Sequence, residues 1–196
     1  MSPLFAVVAV LCAASLTEGA HVQSERPSND QVFVLTRVIM HERYGRLNYD
    51  VALLQLNRPI QINNKARPVC LPQHGSRAQP GSQCYITGWG RTVGGGQGAN
   101  VLQQAMLPVA DDRRCQSVNG RLQRVYSDNM ICAGGQGRGG CQGDSGGPFV
   151  CNEGGKWVLR GAVSWGHQHC STKYFTVFRP SQYLCQLDSA EDRYWR

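Results

Sequence analysis

Charge is sparse in this sequence, with Asp, Glu, Lys and Arg together making up 17% of 196 residues, and aromatics are modest at 8%. With 41% hydrophobic residues, that composition excludes a disordered chain and leaves an ordinary globular one, of one large or two small domains. No long stretch sustains a helical period, so the 23 glycines favour short strands joined by Gly-rich turns. C-x-x-C and H-x-x-x-H pairs are absent, which argues against zinc, and neither a metal nor a cofactor is expected. Internal repeats and low-complexity tracts are also missing. The apolar run Leu4–Ala14 (LFAVVAVLCAA) is too short for a bilayer helix, and no second run is long enough to anchor the chain.

That run, followed by small and polar residues, suits the h-region of a secretory signal, although its n-region carries no Lys or Arg. A buried N-terminal strand is the plainer alternative. Nine cysteines behind a signal suggest disulfides in an oxidising compartment and a secreted protein. Cys12 lies inside the signal, and the eight that remain allow 105 full pairings, among which spacing does not choose. The net charge of +7 comes from scattered residues, Arg113–Arg114 directly following Asp111–Asp112. It reads as solvated surface, and no nucleic-acid partner is expected.

Gln31–Met40 and Val51–Leu56 read as strands, followed by a polar turn and a proline-punctuated linker, Pro68–Pro80. Further strand-like segments are Cys84–Thr87, Val101–Val109, Met130–Ala133, Gly147–Cys151, Trp157–Trp165 and Tyr174–Phe178. Their spacing indicates an antiparallel barrel or sandwich, with a terminal helix over Gln182–Tyr194.

The sharpest motif is Cys141-Gln142-Gly143-Asp144-Ser145-Gly146-Gly147-Pro148. A serine hydroxyl is a weak nucleophile unless a base takes its proton and N–H groups await the oxyanion. Glycines beside the serine let the Gly143 and Ser145 N–H groups converge on one spot. Gly143–Gly147 also fits G-x-S-x-G, the α/β-hydrolase elbow, but the only acid between Ser145 and the following His167 and His169 is Glu153, and the surroundings are strands and turns.

The octapeptide resembles the active-serine signature of the chymotrypsin-like (trypsin/elastase) proteases. Other segments match in the family's order: Asn48-Tyr49-Asp50-Val51-Ala52-Leu53-Leu54-Gln55-Leu56, Val69-Cys70-Leu71-Pro72, Cys84-Tyr85-Ile86-Thr87-Gly88-Trp89-Gly90, Met130-Ile131-Cys132-Ala133-Gly134 and Val163-Ser164-Trp165-Gly166. The resemblance spans roughly residues 21–178. It implies an all-β fold of two antiparallel β-barrels, the second nearly complete and the first partial, with a short C-terminal helix. It implies Ser145 as nucleophile, Asp50 as orienting acid, and the Gly143 and Ser145 N–H groups as oxyanion hole. It also implies the disulfides Cys84–Cys151, Cys115–Cys132 and Cys141–Cys170, the last bracing the Ser145 loop against the Ser164–Gly166 strand. Cys70 and Cys185 are left over; either they pair or at least one is a free thiol. The specificity pocket takes Gly139 at its base, with Ser164, Gly166 and Thr176 as substrate-binding neighbours. An uncharged base narrowed by Thr176 implies cleavage after small to medium apolar residues.

The family's Ile-Val-Gly-Gly start and Ala-Ala-His-Cys segment do not occur in this sequence. Met40-His41-Glu42-Arg43-Tyr44 resembles a non-catalytic surface segment, and Gly19-Ala20-His21 a turn that follows the catalytic histidine. The signal thus runs into the middle of the first barrel, as if exons were skipped. The expected organisation is a signal over 1–20, a first-barrel remnant over 21–80, and a second barrel with terminal helix over 81–196. Expected partners are polypeptide substrates or protease inhibitors, with no membrane anchor and a monomeric state. The function expected is a secreted serine endopeptidase, inactive for want of its general-base histidine; the alternative is a non-catalytic binding or decoy protein.

Overall fold

The computed structural model describes residues 32–45, 48–64 and 66–182. Among these residues nine elements follow one another: β1 (Leu35–Met40), β2 (Ala52–Leu56), β3 (Gln83–Gly88), β4 (Gln103–Pro108), α1 (Asp112–Asn119), β5 (Ile131–Gly134), β6 (Pro148–Glu153), β7 (Lys156–Trp165) and β8 (Phe175–Pro180). Each strand falls on a segment where β-branched, aromatic and Leu residues were read as strand-forming.

β1 and β2 form a two-stranded antiparallel sheet; the other six lie in the order β4-β3-β6-β7-β8-β5. The six-stranded sheet curls until its edge strands meet, with Val109 bridging Ala133 and the Ala110 N–H donating to Cys132 O at 2.8 Å. That bridge joins the two edges at one end, and the curled sheet encloses a core. Cys84, Leu107, Ala133, Phe149 and Phe178 are fully buried there, and the Phe149 and Phe178 rings stack at 4.0 Å. Burial of this apolar surface is the main favourable term in the fold. The disulfides are Cys84–Cys151, Cys115–Cys132 and Cys141–Cys170.

The small sheet docks through a thin contact in which Leu53 meets the buried Leu159 of β7, flanked by Ile39, Val51 and Val150. Val38 and Met40 of β1 stay 54% and 65% exposed. The linker then runs beside β7, where the Leu159 N–H donates to Cys70 O at 2.8 Å. Cys70 is an exposed free thiol among the described residues, and Cys185 lies outside them.

Two features depart from the sequence reading. α1 was not foreseen: the Asp111 carboxylate accepts the N–H groups of Arg113 (2.9 Å) and Arg114 (3.2 Å), capping an eight-residue helix. Its last residue, the buried Asn119, donates to Phe175 O and accepts from Phe175 N, both at 2.9 Å, tying the helix to the start of β8. β8 itself runs two residues past Phe178, with Pro180 at the strand's end opposite Gly161, where its lack of an N–H is tolerated. The expected signal, the Gly19-Ala20-His21 turn and most of the expected terminal helix lie outside the described residues.

Candidate active site

Asp50 lies two residues before β2, after a tight loop. The preceding Tyr49 adopts φ +50°, a conformation unfavourable for a bulky residue. It is held by packing: the His41 ring stacks on Tyr49 at 4.6 Å, and the Arg43 guanidinium also lies over that ring at 4.5 Å. His41 is 7% exposed, its Nδ1 accepting the Arg43 N–H at 3.1 Å. Burial holds its imidazole below the usual pKa, with Glu42 opposing and Arg43 reinforcing the shift. The Asp50 Oδ2 accepts a hydrogen bond from the Ser164 hydroxyl of β7 at 2.6 Å.

Ser145 sits in the turn before β6. The turn is closed by Asp144 N–H to Cys141 O (3.0 Å) and Gly147 N–H to Asp144 O (2.8 Å), and is fastened to β7 by Gly146 N–H to Val163 O (2.8 Å). The Asp144 carboxylate turns inward and accepts the Gly90 and Cys141 N–H groups, each at 2.9 Å. A Cβ on Gly88 or Gly90 would occupy the space of that carboxylate. Gly143 takes φ +97°, which favours glycine. The Gly143 and Ser145 N–H groups meet no acceptor among the described residues, and the exposed Ser145 hydroxyl makes no hydrogen bond there. The Cys141–Cys170 bridge clamps this turn to the segment after β7, and Gln142 Nε2 adds a hydrogen bond to Gln168 O.

Asp50, Ser145 and Ser164 all line one groove of about 490 Å³, whose apolar walls include Val38, Met40 and Leu159. Thr176 is buried, and its Oγ1 accepts the Gly140 N–H at 2.8 Å. A Cβ on Gly139 would lie 3.0 Å from that oxygen, and one on Gly166 would lie 3.9 Å from the Thr176 Cα. Gly139, Thr176 and Gly166 are therefore neighbours, while Ser164 faces the acid. Among the described histidines, His41, His74, His167 and His169, none hydrogen-bonds to Asp50 or Ser145; His167 instead stacks on Tyr174 at 4.8 Å. The described residues contain no group of three or more His, Cys, Asp or Glu able to hold a metal, and no helix long and apolar enough to cross a membrane.

A family model described as Trypsin matches residues 8–187, starting within the apolar run Leu4–Ala14. The chain belongs to the trypsin family. Its curled six-stranded sheet and three disulfides are those of a chymotrypsin-like serine protease. It is 39% identical to chymotrypsin-like elastase family member 1 of Canis lupus familiaris over 152 residues, 75% of this chain and 58% of that protein. To the proteins of the same name in Macaca fascicularis and Rattus norvegicus it is 38% and 37% identical, over 87% of this chain and 66% and 67% of theirs. This trypsin-family chain thus spans about three-fifths to two-thirds of the length of these curated relatives.

Two contacts in the candidate site were not foreseen from the sequence: the Ser164 hydroxyl on Asp50, and the Gly90 N–H on Asp144. Both join residues far apart in the chain. No local pattern signals either pairing, although both residues lie inside motifs already singled out.

Proposed function

We propose that this chain is built for secreted serine endopeptidase chemistry, with cleavage after small to medium apolar residues, and that by itself it does not turn over. In this reading Ser145 is the nucleophile and Asp50 the orienting acid. The Gly143 and Ser145 N–H groups form the oxyanion hole, and Gly139, Ser164, Gly166 and Thr176 are the substrate-binding neighbours. Residues 1–20 act as a secretory signal, 21–80 as a first-barrel remnant and 81–196 as the second barrel with its terminal helix. Polypeptide substrates and protease inhibitors are the partners.

One observation carries the reading. Asp50 and Ser145 share a groove, two N–H groups beside Ser145 have no described acceptor, and no described imidazole reaches either side chain. Acyl transfer requires the Ser145 proton to leave as Oγ attacks the carbonyl, and the oxyanion then to be held by N–H donors. Among the described residues, two N–H groups without an acceptor stand beside Ser145 and no imidazole reaches it. Loss of the base leaves only the modest acceleration that oxyanion stabilisation and binding supply.

The test is active-site titration with an organofluorophosphate, which needs an activated hydroxyl. Ser145 is expected to stay unlabelled by mass spectrometry, and stoichiometric labelling would overturn the claim of inactivity. The same two N–H groups favour a second reading as a non-catalytic binding or decoy protein. Retained binding of an inhibitor loop presenting Leu, together with no labelling, would favour it.

A further inference from the structure

We propose that a positively charged face, formed by α1, the turn after it and the loop leading into β8, binds a sulfated polysaccharide. This face uses neither Ser145 nor Asp50, so its role goes beyond the protease reading and stands or falls apart from it.

Part of the face is visible in the sequence. Between Arg113 and Tyr126 stand four arginines, Arg113, Arg114, Arg121 and Arg124, and no Asp or Glu. Folding adds two more cations, and Phe175 at the start of β8 is the meeting point. The Arg114 guanidinium lies 5.6 Å from the centre of the Phe175 ring. Asn119, two residues before Arg121, bonds to the Phe175 backbone N–H and C=O. Lys173 precedes Phe175 by two residues. Gly134 pairs with Phe175 between β5 and β8, and a Cβ on Gly134 would lie 2.9 Å from Arg138 O. Charge that is scattered along the chain is thus collected in one neighbourhood.

All six cations are exposed. None forms an ion pair among the described residues, where the salt bridges join Arg77 to Asp112 and Arg160 to Glu153. Asp111, just ahead of the helix, is taken up in capping it. Like charges left uncompensated repel one another, and a polyanion relieves that repulsion while releasing its own condensed counterions. None of the six lines the groove at Ser145 or the smaller cavity beside Arg77 and Asp112. A small-molecule ligand would need such a concavity. A chain densely bearing anions does not, and guanidinium forks pair bidentately with tetrahedral anions. Single-stranded nucleic acid would also use aromatic faces on which its bases stack. Tyr126, the exposed aromatic of this stretch, is instead covered by the Arg124 guanidinium at 4.9 Å. Sulfate groups carried on a sugar chain match what the face offers.

The experiment titrates the full chain with a heparin octasaccharide by calorimetry. Saturable binding is expected at about 150 mM salt. It should weaken by about 10²-fold between roughly 50 and 200 mM, as about five cations each release a condensed counterion. Arg114→Gln together with Lys173→Gln should weaken binding and flatten the log–log salt slope by about 2. Arg67→Gln together with Lys156→Gln removes the same net charge outside the face and should leave both unchanged. Hydrogen exchange of the parent chain supplies a readout that needs no variant to fold: the octasaccharide should protect residues 113–126 and the neighbourhoods of Arg138 and Lys173. Equal weakening by the two variant pairs, protection elsewhere, or no binding overturns the inference. An oligonucleotide of matched charge, single- or double-stranded, that bound as tightly would also overturn it, by assigning the face to nucleic acid as readily as to sulfated sugar. Organofluorophosphate labelling of Ser145 reports separately on the protease reading, so the two failures are distinguishable.

Discussion

The Ser164 hydroxyl and the Asp50 carboxylate meet at 2.6 Å across 114 residues of sequence. One lies on β7 of the six-stranded sheet and the other in the loop leading to β2, so a single hydroxyl links the two sheets at the site. Ser164→Ala should cost about 1–2 kcal/mol, the low end for a hydrogen bond to a charged group because both partners are half-buried. In an Asp50→Asn background the same substitution should cost markedly less. Urea unfolding of the four proteins measures the coupling, and equal costs in both backgrounds would show that the contact contributes nothing.

The three bridges enclose different lengths of chain, with sequence separations of 67 for Cys84–Cys151, 29 for Cys141–Cys170 and 17 for Cys115–Cys132. Loop-closure entropy alone predicts losses of about 4.4, 3.6 and 3.1 kcal/mol when each is removed as a Cys→Ala pair. The expected order of midpoints in guanidinium is therefore Cys115–Cys132 least affected and Cys84–Cys151 most. A reversed order would mean that native packing outweighs the unfolded-chain effect.

The apolar docking of β1 and β2 is one small cluster, Leu53 against Leu159, whereas β6, β7 and β8 pack on the main core. Hydrogen exchange should be fast over 35–56 and slow in β6–β8, and limited proteolysis should cut before Cys84 first. Equal protection in both regions would contradict the thin docking seen here.

His41 gives the small sheet a pH dependence. Burial lowers its folded pKa below the ordinary 6.5, so between 6.5 and the folded value the unfolded chain binds more protons. Stability is thus full above that window and falls as pH drops through it. His41→Gln should flatten this slope in thermal melts taken across the window. An unchanged slope would assign the pH dependence to other groups.

Strand positions and the Ser145 turn were readable because each rests on local pattern: alternation, Gly-rich turns and one dense octapeptide. α1 escaped notice because it is short and mostly polar, although Asp111 ahead of Asp112-Arg113-Arg114 is a helix-start signal. Two backbone N–H groups satisfy the Asp144 carboxylate, which residue identities cannot announce because every residue but proline carries that donor. The roles of Ser164 and Gly90 depend likewise on which strands close upon each other.

Gly90→Ala tests that seat directly. The new methyl group would displace the Asp144 carboxylate from the Gly90 N–H, with a loss of about 1–3 kcal/mol for a charged group left without its donor. Exchange at the Cys141 amide should quicken at the same time. A variant as stable as the parent, with Cys141 still protected, would show that the carboxylate is not needed to shape the turn.

The seat of Asp144 also sets an order of events in time. Its partner Gly90 lies 54 residues earlier, just past the end of β3, so the serine turn can take its shape only after β3 has paired with β6. Closing so long a loop is entropically unfavourable until the surrounding core rewards it. During refolding the scaffold should therefore assemble first, and the turn carrying Ser145 should be among the last parts of the molecule to become native.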